Sequence, residues 1–229
     1  MKAAVLREIG KPLEIEEVQI SKPKSREVLV RTVAAGVCHS DVHFANGSYP
    51  YPLPAVLGHE SAGIVEMVGS DVTSVKPGDH VITCLSAFCG HCEHCLTGHM
   101  ARCQSDEVQR KPDEEFRLTQ ANNPMFQFLN LSSFAEQMLI HEHALVKVRE
   151  DMPMDRGALI GCGVTTGVGA VINTAKVEPG STVAVIGCGG VGLSAINGAA
   201  IAGAGRIIAV DMHPSKLELA KVFGATDVV

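Results

Sequence analysis

The stretch Thr182-Val-Ala-Val-Ile186, followed by Gly187-Cys188-Gly189-Gly190-Val191-Gly192, decides the fold of the second half of the chain. The first part is apolar and mostly β-branched, which predicts a buried strand. The second part has the spacing G-x-G-x-x-G, and a helix of small residues is predicted to follow from Gly190 to Ala202. In this strand–turn–helix setting the spacing indicates a dinucleotide-binding turn.

A carboxylate lies where such a turn needs one. The apolar run Arg206–Val210 predicts a second strand, and Asp211 follows it, about 20 residues beyond the turn. Asp211 can accept hydrogen bonds from two ribose hydroxyls, and its charge would repel a 2′-phosphate, so NAD is predicted over NADP. The other residues predicted to bind the cofactor are Gly187, Gly189, Gly190 and Gly192. The alternative is a glycine-rich turn that serves packing alone.

Outward from this turn the pattern continues as alternating strands and helices. An amphipathic helix with proline at its start is predicted from Pro214 to Phe223, and residues 227–229 begin a third strand. The order βαβα followed by β is typical of the first half of a doubly wound sheet. The sequence stops inside the third strand, so the predicted sheet is truncated.

The first 150 residues are predicted to be rich in strands. Short β-branched runs punctuated by glycine and proline indicate a barrel or a sandwich. The clearest runs are Val28–Val33, Ser61–Val68, His80–Thr83 and Ala144–Val148. Residues 104–133 are polar and irregular, and we expect a long surface loop there.

A cysteine cluster dominates this first part. Cys89-Gly-His-Cys92-Glu-His-Cys95 is followed by Cys103, and two Cys-x-x-Cys steps plus a fourth sulfur are the spacing of a closed, structural zinc site. The alternative, a pair of disulfides, needs an oxidising compartment. No open coordination position remains for a substrate, so this metal is predicted to stabilise a loop and to take no part in catalysis.

Composition excludes several classes of function. The 229 residues carry a formal net charge of −6 without any Lys/Arg-rich tract, which argues against nucleic acid as a partner. The N-terminus has no long apolar region, so no secretory signal is predicted, and eight cysteines then favour metal binding in a reducing cytoplasm. The uncharged stretch from Pro179 to Gly205 is interrupted by glycines and indicates strand, turn and helix, so no membrane contact is expected.

A second metal site has weaker local signals. Cys38, Cys162 and His59 lie far apart in the sequence, and their spacing alone proves nothing. Taken singly, each is more often a core thiol or an ordinary histidine. Cys84 has no predicted role.

Several motifs together resolve this point. Gly58-His-Glu-x-x-Gly63, with Gly69 and Val72 beyond it, the cysteine lobe, and the run from Leu159 to Val229 all resemble the zinc-containing alcohol dehydrogenases of the medium-chain dehydrogenase/reductase family. The resemblance covers all 229 residues. It implies a GroES-like, β-barrel-type catalytic domain over residues 1–165, with the structural zinc lobe at about 84–106. Residues 166–229 would form the N-terminal part of an NAD-binding Rossmann domain.

The resemblance also implies a role for each matching side chain. Cys38, His59 and Cys162 would hold a catalytic zinc, the site type that has three protein ligands and one open position. Glu60 would lie behind the metal as a transient ligand, and Asp41 would orient His59. The remaining implied roles are Ser40 to the alcohol oxygen, His43 at the end of the proton relay, His39 at the pyrophosphate, Thr166 and Val191 at the nicotinamide, and Lys216 at the adenine ribose.

The implied activity is hydride transfer between a primary or secondary alcohol, or the corresponding aldehyde or ketone, and NAD. Two zinc ions per chain, a cytoplasmic location and a homo-oligomer at full length are also implied. Two alternatives stay open. One is the glutathione-dependent formaldehyde dehydrogenase branch, and the other is an inactive zinc-binding fragment, because the predicted nucleotide domain is incomplete. The 229-residue chain alone is therefore expected to show little dehydrogenase activity, and the sequence leaves the identity of the alcohol open.

Overall fold

The structure, a computed structural model, describes residues 1–108 and 115–229. The chain forms two compact units, Met1–Gly161 and Cys162–Val229. Part of the predicted surface loop, residues 109–114, lies outside the described residues. The assignment of residues 1–165 and 166–229 to a catalytic and a nucleotide domain stays a prediction.

The first unit consists mainly of short strands. Its strands are β1 Lys2–Leu6, β2 Glu14–Glu17, β3 Gln19–Ile20, β4 Glu27–Gly36, β5 Ala55–Val56, β6 Glu60–Val68, β7 His80–Thr83, β8 Leu118–Gln120, β9 Asn123–Gln127, β10 Gln137–His141 and β11 Leu145–Lys147. Its α-helices are α1 His39–Ala45, α2 Glu93–Leu96 and α3 Met154–Leu159, and 3-10 turns occur at Met100–Arg102, Phe128–Asn130 and Glu142–Ala144. Each run of β-branched residues predicted as a strand contains a strand here, although the last run, Ala144–Val148, is a strand only over Leu145–Lys147.

These strands form two sheets. One has the order β2-β1-β5-β9-β8-β3, and the other has the order β10-β4-β6-β7-β11. The long antiparallel pair β4–β6 is kinked by register shifts at Leu29/Val30 and Thr32/Ala34, and such bulges bend a sheet as a barrel requires. Alternate residues of these strands point to one side and form a buried core that includes Val28, Val30, Val65, Val81 and Met138. The predicted β-barrel-type domain is confirmed.

The predicted surface loop is wrong for much of the described segment. Strands β8 and β9 pair as an antiparallel hairpin, and β9 also pairs with β5 in parallel. Leu118 and Met125 are each 1% exposed, and Phe128 is fully buried. The segment has a polar mean composition because its few apolar residues, such as Leu118 and those of the short run Met125–Leu129, are surrounded by polar residues.

The second unit is a parallel sheet with helices. Strands β12 Thr182–Ile186, β13 Arg206–Val210 and β14 Asp227–Val228 lie side by side in that order. The connecting helices are α5 Gly190–Ile201 and α6 Pro214–Val222, preceded by α4 Thr165–Gly169 and the π-helical segment Ala170–Ala175. Their apolar faces form one core with the sheet, around Ile196, Ala199, Ile207 and Ala209. The predicted opening of a doubly wound sheet is confirmed.

One apolar helical segment passes a membrane test by length and composition only. Met154–Ala175 has 22 residues and a mean hydropathy of 1.5. A single such segment is weak evidence, because a core helix of a soluble protein passes the same test. The uncharged stretch from Pro179 to Gly205, in contrast, contains β12 and α5 and is not one helix.

Candidate metal centres and nucleotide site

The cysteine lobe gathers four sulfur atoms at one point. The sulfurs of Cys89, Cys92, Cys95 and Cys103 lie within 4.8 Å of one another. Individual separations are 3.5 Å for Cys92–Cys95 and 3.9 Å for both Cys89–Cys95 and Cys92–Cys103. A tetrahedral zinc with bonds of about 2.3 Å places its sulfurs about 3.8 Å apart. The four thiols therefore fit zinc, and all eight cysteines are free, as zinc ligation requires.

Hydrogen bonds and burial within the lobe change the pKa values of its cysteine thiols. Backbone N–H groups donate to sulfur, from Cys92 to Cys89 and from Cys89 to Cys103, at 3.3 Å each. Burial raises the pKa of Cys89, but N–H donors at His91 and Cys92 outweigh it and lower this pKa to about 6. Burial and the neighbouring thiols raise the pKa of Cys95 to about 11. Metal binding at this site must therefore release protons, as it does at thiolate sites in general.

Side chains of the barrel anchor this lobe. The ring of His143 stacks on Phe88 at 4.9 Å, and its Nδ1 lies 2.6 Å from the Phe88 carbonyl oxygen. Arg26 bridges Glu107 beside the lobe and the buried Glu142, with Nε 3.0 Å from Glu142 Oε1. Burial raises the pKa of Glu142, but hydrogen bonds from Ser74, Thr73 and Arg26 outweigh it and lower this pKa to about 2.

A second candidate centre lies at the start of helix α1. Cys38 precedes the helix, and Asp41 in its first turn accepts a hydrogen bond from the Cys38 backbone N–H at 2.9 Å. The other oxygen of Asp41 lies 3.2 Å from the Gly58 backbone nitrogen and 3.1 Å from Nδ1 of His59. One buried carboxylate thus fixes both ligand-bearing segments.

The hydrogen bond to Asp41 fixes the orientation of the His59 ring. A carboxylate only accepts hydrogen bonds, so Nδ1 of His59 donates to Asp41 and Nε2 is left to act as a ligand. Burial disfavours the charged ring, but the hydrogen bond and charge of Asp41, together with Cys38, raise the pKa of His59. Gly58 has a φ of +94°, and a Cβ there would lie 2.5 Å from Ser133 Oγ. A glycine is therefore required directly before this histidine.

Glu60 belongs to the same cluster. The ligand atoms of Cys38, His59 and Glu60 lie within 4.8 Å of one another, and Glu60 is 5% exposed. Gly36 leaves room for this carboxylate, because a Cβ there would lie 2.5 Å from Glu60 Oε2. A known catalytic zinc type has two thiolates and an imidazole as ligands, and the first unit supplies one thiol, Cys38, and the imidazole of His59, with the carboxylate of Glu60 beside them. The third predicted ligand, Cys162, is the first residue of the second unit.

The predicted relay residues occupy one face of α1. Ser40 and His43 are three residues apart, and residues at that spacing lie on the same face of a helix. The rings of His39 and His43 are 4.7 Å apart. His43 Nδ1 is buried and has no hydrogen-bond partner among the described residues.

In the second unit, each glycine of the turn from Gly187 to Gly192 is favoured for a different structural reason. Gly187 has a φ of +93°, which glycine adopts readily. A Cβ on Gly192 would lie 1.8 Å from the Gly187 carbonyl oxygen, so the first turn of α5 can pack against the preceding turn only with glycine at this position. Gly189 and Gly190 face open space within 4 Å, which leaves access for a phosphate group at the start of α5.

Asp211 is oriented by the turn itself. Its Oδ2 accepts from the Cys188 N–H at 2.8 Å, and its Oδ1 accepts from the His213 N–H at 2.9 Å. These two bonds lower the pKa of Asp211. Lys216 Nζ lies 3.7 Å away, and the residues around them line a cavity of about 350 Å³. The arrangement fits the ribose of a dinucleotide.

The two residues predicted at the nicotinamide lie near the same helix end. Thr166 is exposed, and Val191 is 47% exposed. Gly167, the next residue after Thr166, packs so closely that its Cβ would lie 2.4 Å from the Val191 carbonyl oxygen. Thr166 and Val191 are therefore held at one end of α5.

Some residues of these sites were not predicted. Phe128 packs edge-on against the ring of His59 with centroids 5.8 Å apart, and Glu142 and Arg26 anchor the zinc lobe. The short apolar run Met125-Phe126-Gln127-Phe128 was a usable signal for the first. No local signal identifies Arg26 and Glu142, which are far apart in the sequence.

Comparison with known proteins gives a consistent result. The family described as "Alcohol dehydrogenase GroES-like domain" matches residues 24–150, and the family described as "Zinc-binding dehydrogenase" matches residues 190–229. The chain is 47% identical over its full length to alcohol dehydrogenase class-3 of Myxine glutinosa. It is also 47% identical to an S-(hydroxymethyl)glutathione dehydrogenase of Escherichia coli O1:K1 / APEC.

Solved structures agree. The structure described as "Alcohol dehydrogenase zinc-binding domain protein" from Burkholderia ambifaria matches the whole chain with a TM-score of 0.93 and 44% identity. Benzyl alcohol dehydrogenase from Acinetobacter calcoaceticus matches 99% of the chain with a TM-score of 0.90 and 42% identity. The chain spans 62% to 63% of the length of these curated relatives and solved chains. The protein belongs to the zinc-containing alcohol dehydrogenases of the medium-chain dehydrogenase/reductase family.

Proposed function

We propose that this protein takes part in NAD- and zinc-dependent hydride transfer between an alcohol and its aldehyde or ketone. The observation that carries the proposal is the clamp of Asp41 on Cys38 and His59, with Glu60 in the same cluster. A buried group of thiol, imidazole and carboxylate donors with an oriented histidine is a metal site by its chemistry. Because the chain belongs to this dehydrogenase family, we infer that the site would hold the catalytic metal.

Cys162 is proposed as the third protein ligand. Gly161, the last residue of the first unit, lies against strand β7, because a Cβ there would be 1.8 Å from the Thr83 carbonyl oxygen. The Cα atom of Cys162 is about 3.8 Å from that of Gly161 by chain geometry. With the cysteine lobe, this makes two zinc ions per chain.

The residues of α1 would handle the alcohol and its proton. When bound, zinc supplies a Lewis acid that lowers the pKa of an alcohol, and the nicotinamide accepts the hydride. Ser40 would accept a hydrogen bond from the alcohol and orient it. His43, on the same helix face, would carry the proton to solvent. Its Nδ1, which has no hydrogen-bond partner in the part of the chain that the structure describes, supports this role.

The second unit would bind the cofactor. The turn from Gly187 to Gly192 would receive the pyrophosphate, together with His39 of the first unit. Asp211 and Lys216 would contact the adenine ribose, and Thr166 and Val191 would contact the nicotinamide. The orientation of Asp211 by two backbone N–H groups supports NAD over NADP.

A second candidate is the oxidation of a hydroxymethyl thiol adduct. The identity of 47% to proteins named S-(hydroxymethyl)glutathione dehydrogenase favours it. Both candidates use the same metal and cofactor residues, so only the substrate distinguishes them. In either case we propose a homo-oligomer, which light scattering tests, and a cytoplasmic location, because free thiols persist in a reducing compartment.

Metal analysis tests the centre directly. Protein purified with reduced thiols should contain two zinc ions per chain, and Cys38→Ser should contain one. Cys84→Ser is the matched control, because Cys84 belongs to neither four-residue cluster among the described residues and should leave both ions in place. One ion in the unsubstituted protein would contradict the second site.

Activity is tested by NADH absorbance with simple alcohols and with S-hydroxymethylglutathione. Zinc-dependent NADH formation that Cys38→Ser abolishes and Cys84→Ser retains would support the proposal. Two bound zinc ions and bound NAD without turnover of any alcohol would contradict the enzymatic role. That result would favour a zinc-binding protein without catalytic activity.

A further inference from the structure

A row of aromatic rings begins beside the candidate catalytic centre. Phe128 contacts the ring of His59 at 5.8 Å and the ring of Phe44 at 4.7 Å. Phe44 in turn contacts Tyr49 at 5.5 Å and Tyr51 at 5.7 Å. We call Phe44, Tyr49, Tyr51 and Phe128 the aromatic wall. It connects the ligand histidine to the surface within the first unit.

Tyr49 is the exposed member of this wall. Phe128 is fully buried, whereas Tyr49 is 52% exposed. The ring of Tyr49 also contacts His43, the proposed relay residue, at 5.3 Å and an interplanar angle of 71°. Its free face is therefore available to a ligand next to the residues that would handle the alcohol.

The backbone fixes Tyr49 in this position. After helix α1, the Asn46 side chain accepts hydrogen bonds from the Ser48 N–H at 3.0 Å and the Ser48 hydroxyl at 2.7 Å. The turn brings the Tyr49 N–H to within 3.3 Å of the His43 carbonyl oxygen. Pro50 and Pro52 then restrict the chain. An ordered aromatic face loses little entropy when a ligand binds to it.

The wall carries no charge. Between Asp41 and His59 the sequence contains no Asp, Glu, Lys or Arg. A glutathione adduct has two carboxylates and an ammonium group, which need charged or hydrogen-bonding partners when they leave water. An aromatic ring instead gains from edge-to-face contact with other rings.

We propose that Tyr49 is a specificity-determining residue that receives the aromatic ring of an aryl alcohol. The inference rests on the proposed function and deepens it, because it selects aryl alcohols over aliphatic alcohols and over thiol adducts. Tyr49 acts through its ring face, and its hydroxyl is not required.

Kinetics with a matched pair of substrates tests this. Benzyl alcohol and cyclohexylmethanol differ in aromaticity but hardly in size. We expect a higher kcat/KM for benzyl alcohol, and a ring contact of the usual strength predicts that Tyr49→Leu lowers this preference about 3- to 10-fold. Tyr49→Phe should retain it, and Ile15→Ala, at an exposed residue of β2, is the control.

A binding measurement separates this inference from the proposed function. The chain has two tyrosines and no tryptophan, so ring-labelled tyrosine gives two sets of NMR signals that Tyr49→Phe assigns. Benzyl alcohol should shift the Tyr49 signals of the zinc-loaded protein more than cyclohexylmethanol does. This shift without any alcohol turnover would contradict the proposed function and retain the aromatic site.

Two results would overturn the inference. One is turnover whose preference for benzyl alcohol is the same in Tyr49→Leu as in the unsubstituted protein. The other is a higher kcat/KM for S-hydroxymethylglutathione than for benzyl alcohol. In both cases the proposed hydride transfer would stand.

Discussion

Nδ1 of His59 lies 3.1 Å from Oδ1 of Asp41, and their side chains are only 2% and 3% exposed. The same carboxylate also accepts the backbone N–H groups of Cys38 and Gly58. Three donors therefore converge on one buried acceptor. This relationship makes Asp41 the residue that sets the distance between two proposed zinc ligands.

Asp41→Asn should weaken zinc binding at the centre of Cys38 and His59. An amide has one acceptor oxygen, so at least one of the three N–H donors loses its partner. Loss of a group that orients a metal ligand typically lowers metal affinity about 10- to 100-fold, and we expect a decrease of about this size for Asp41→Asn. Chelator competition measures the effect, the cysteine lobe gives an internal reference, and the exposed Asp151→Asn is the control. An affinity of the Cys38–His59 site that is the same in Asp41→Asn as in the unsubstituted protein, relative to the cysteine lobe, would refute the clamp.

Cys95→Ser should affect stability more than chemistry. Losing a structural metal costs about 3 kcal/mol or more, which corresponds to a fall of about 6–12 °C in the thermal midpoint for a chain of this size. Cys38→Ser should lower the midpoint less, because its site is proposed to be catalytic. Differential scanning calorimetry of both variants checks the order, and a midpoint unchanged in Cys95→Ser would show that the lobe metal does not support the fold.

Glu142→Gln should destabilise the protein in a pH-dependent way. The pKa of Glu142 falls from 4.5 to about 2 in the fold, so its charge stabilises the fold above about pH 4.5, and this contribution disappears as pH falls towards 2. At pH 7 we expect a loss on the order of 3 kcal/mol.

Denaturant melts at several pH values test this expectation. The stability gap between Glu142→Gln and the unsubstituted protein should close between about pH 5 and pH 2.5. Glu150→Gln, at an exposed position, should show no gap at any pH. A gap for Glu142→Gln that is constant with pH would mean that packing, and not the carboxylate charge, anchors the lobe.

Asp211→Asn should narrow the preference for NAD over NADP. The amide keeps an acceptor for one backbone N–H but removes the charge that opposes a 2′-phosphate. We expect the ratio of the two dissociation constants to change by about tenfold or more. Calorimetric titration with each cofactor measures it, and Asp227→Asn, a carboxylate paired with Arg206 in the same unit, is the control. A protein that already binds NADP as well as NAD would contradict the ribose assignment.

The parts of this structure that follow local rules could be predicted from the sequence. The strand, turn and helix around Gly187 depend on neighbouring residues, and the four lobe cysteines lie within one short segment. The partnership of Asp41 with His59 was implied only by the family resemblance, since nothing local connects them. The pairing of Arg26 with Glu142 depends on how β4 and β10 align, which no local pattern reveals.

The hairpin of β8 and β9 shows a different limit. Its polar composition suggested a loop, but Leu118, Met125 and Phe128 each fill a buried position. Tertiary packing decided the structure here, because a few apolar side chains that become buried suffice to form strands in a polar segment.

The compactness of the cysteine lobe has a consequence for folding during synthesis. Its ligands, residues 89 to 103, form one short loop, and closing a short loop costs less entropy than closing a long one. Strand β4 cannot complete its pairing until β10 has been synthesised, because residues 27–31 pair with residues 137–141. A growing chain therefore exposes a complete set of metal ligands before its barrel can close. Zinc supply during translation, and not only afterwards, would then influence how much of the protein reaches its native state.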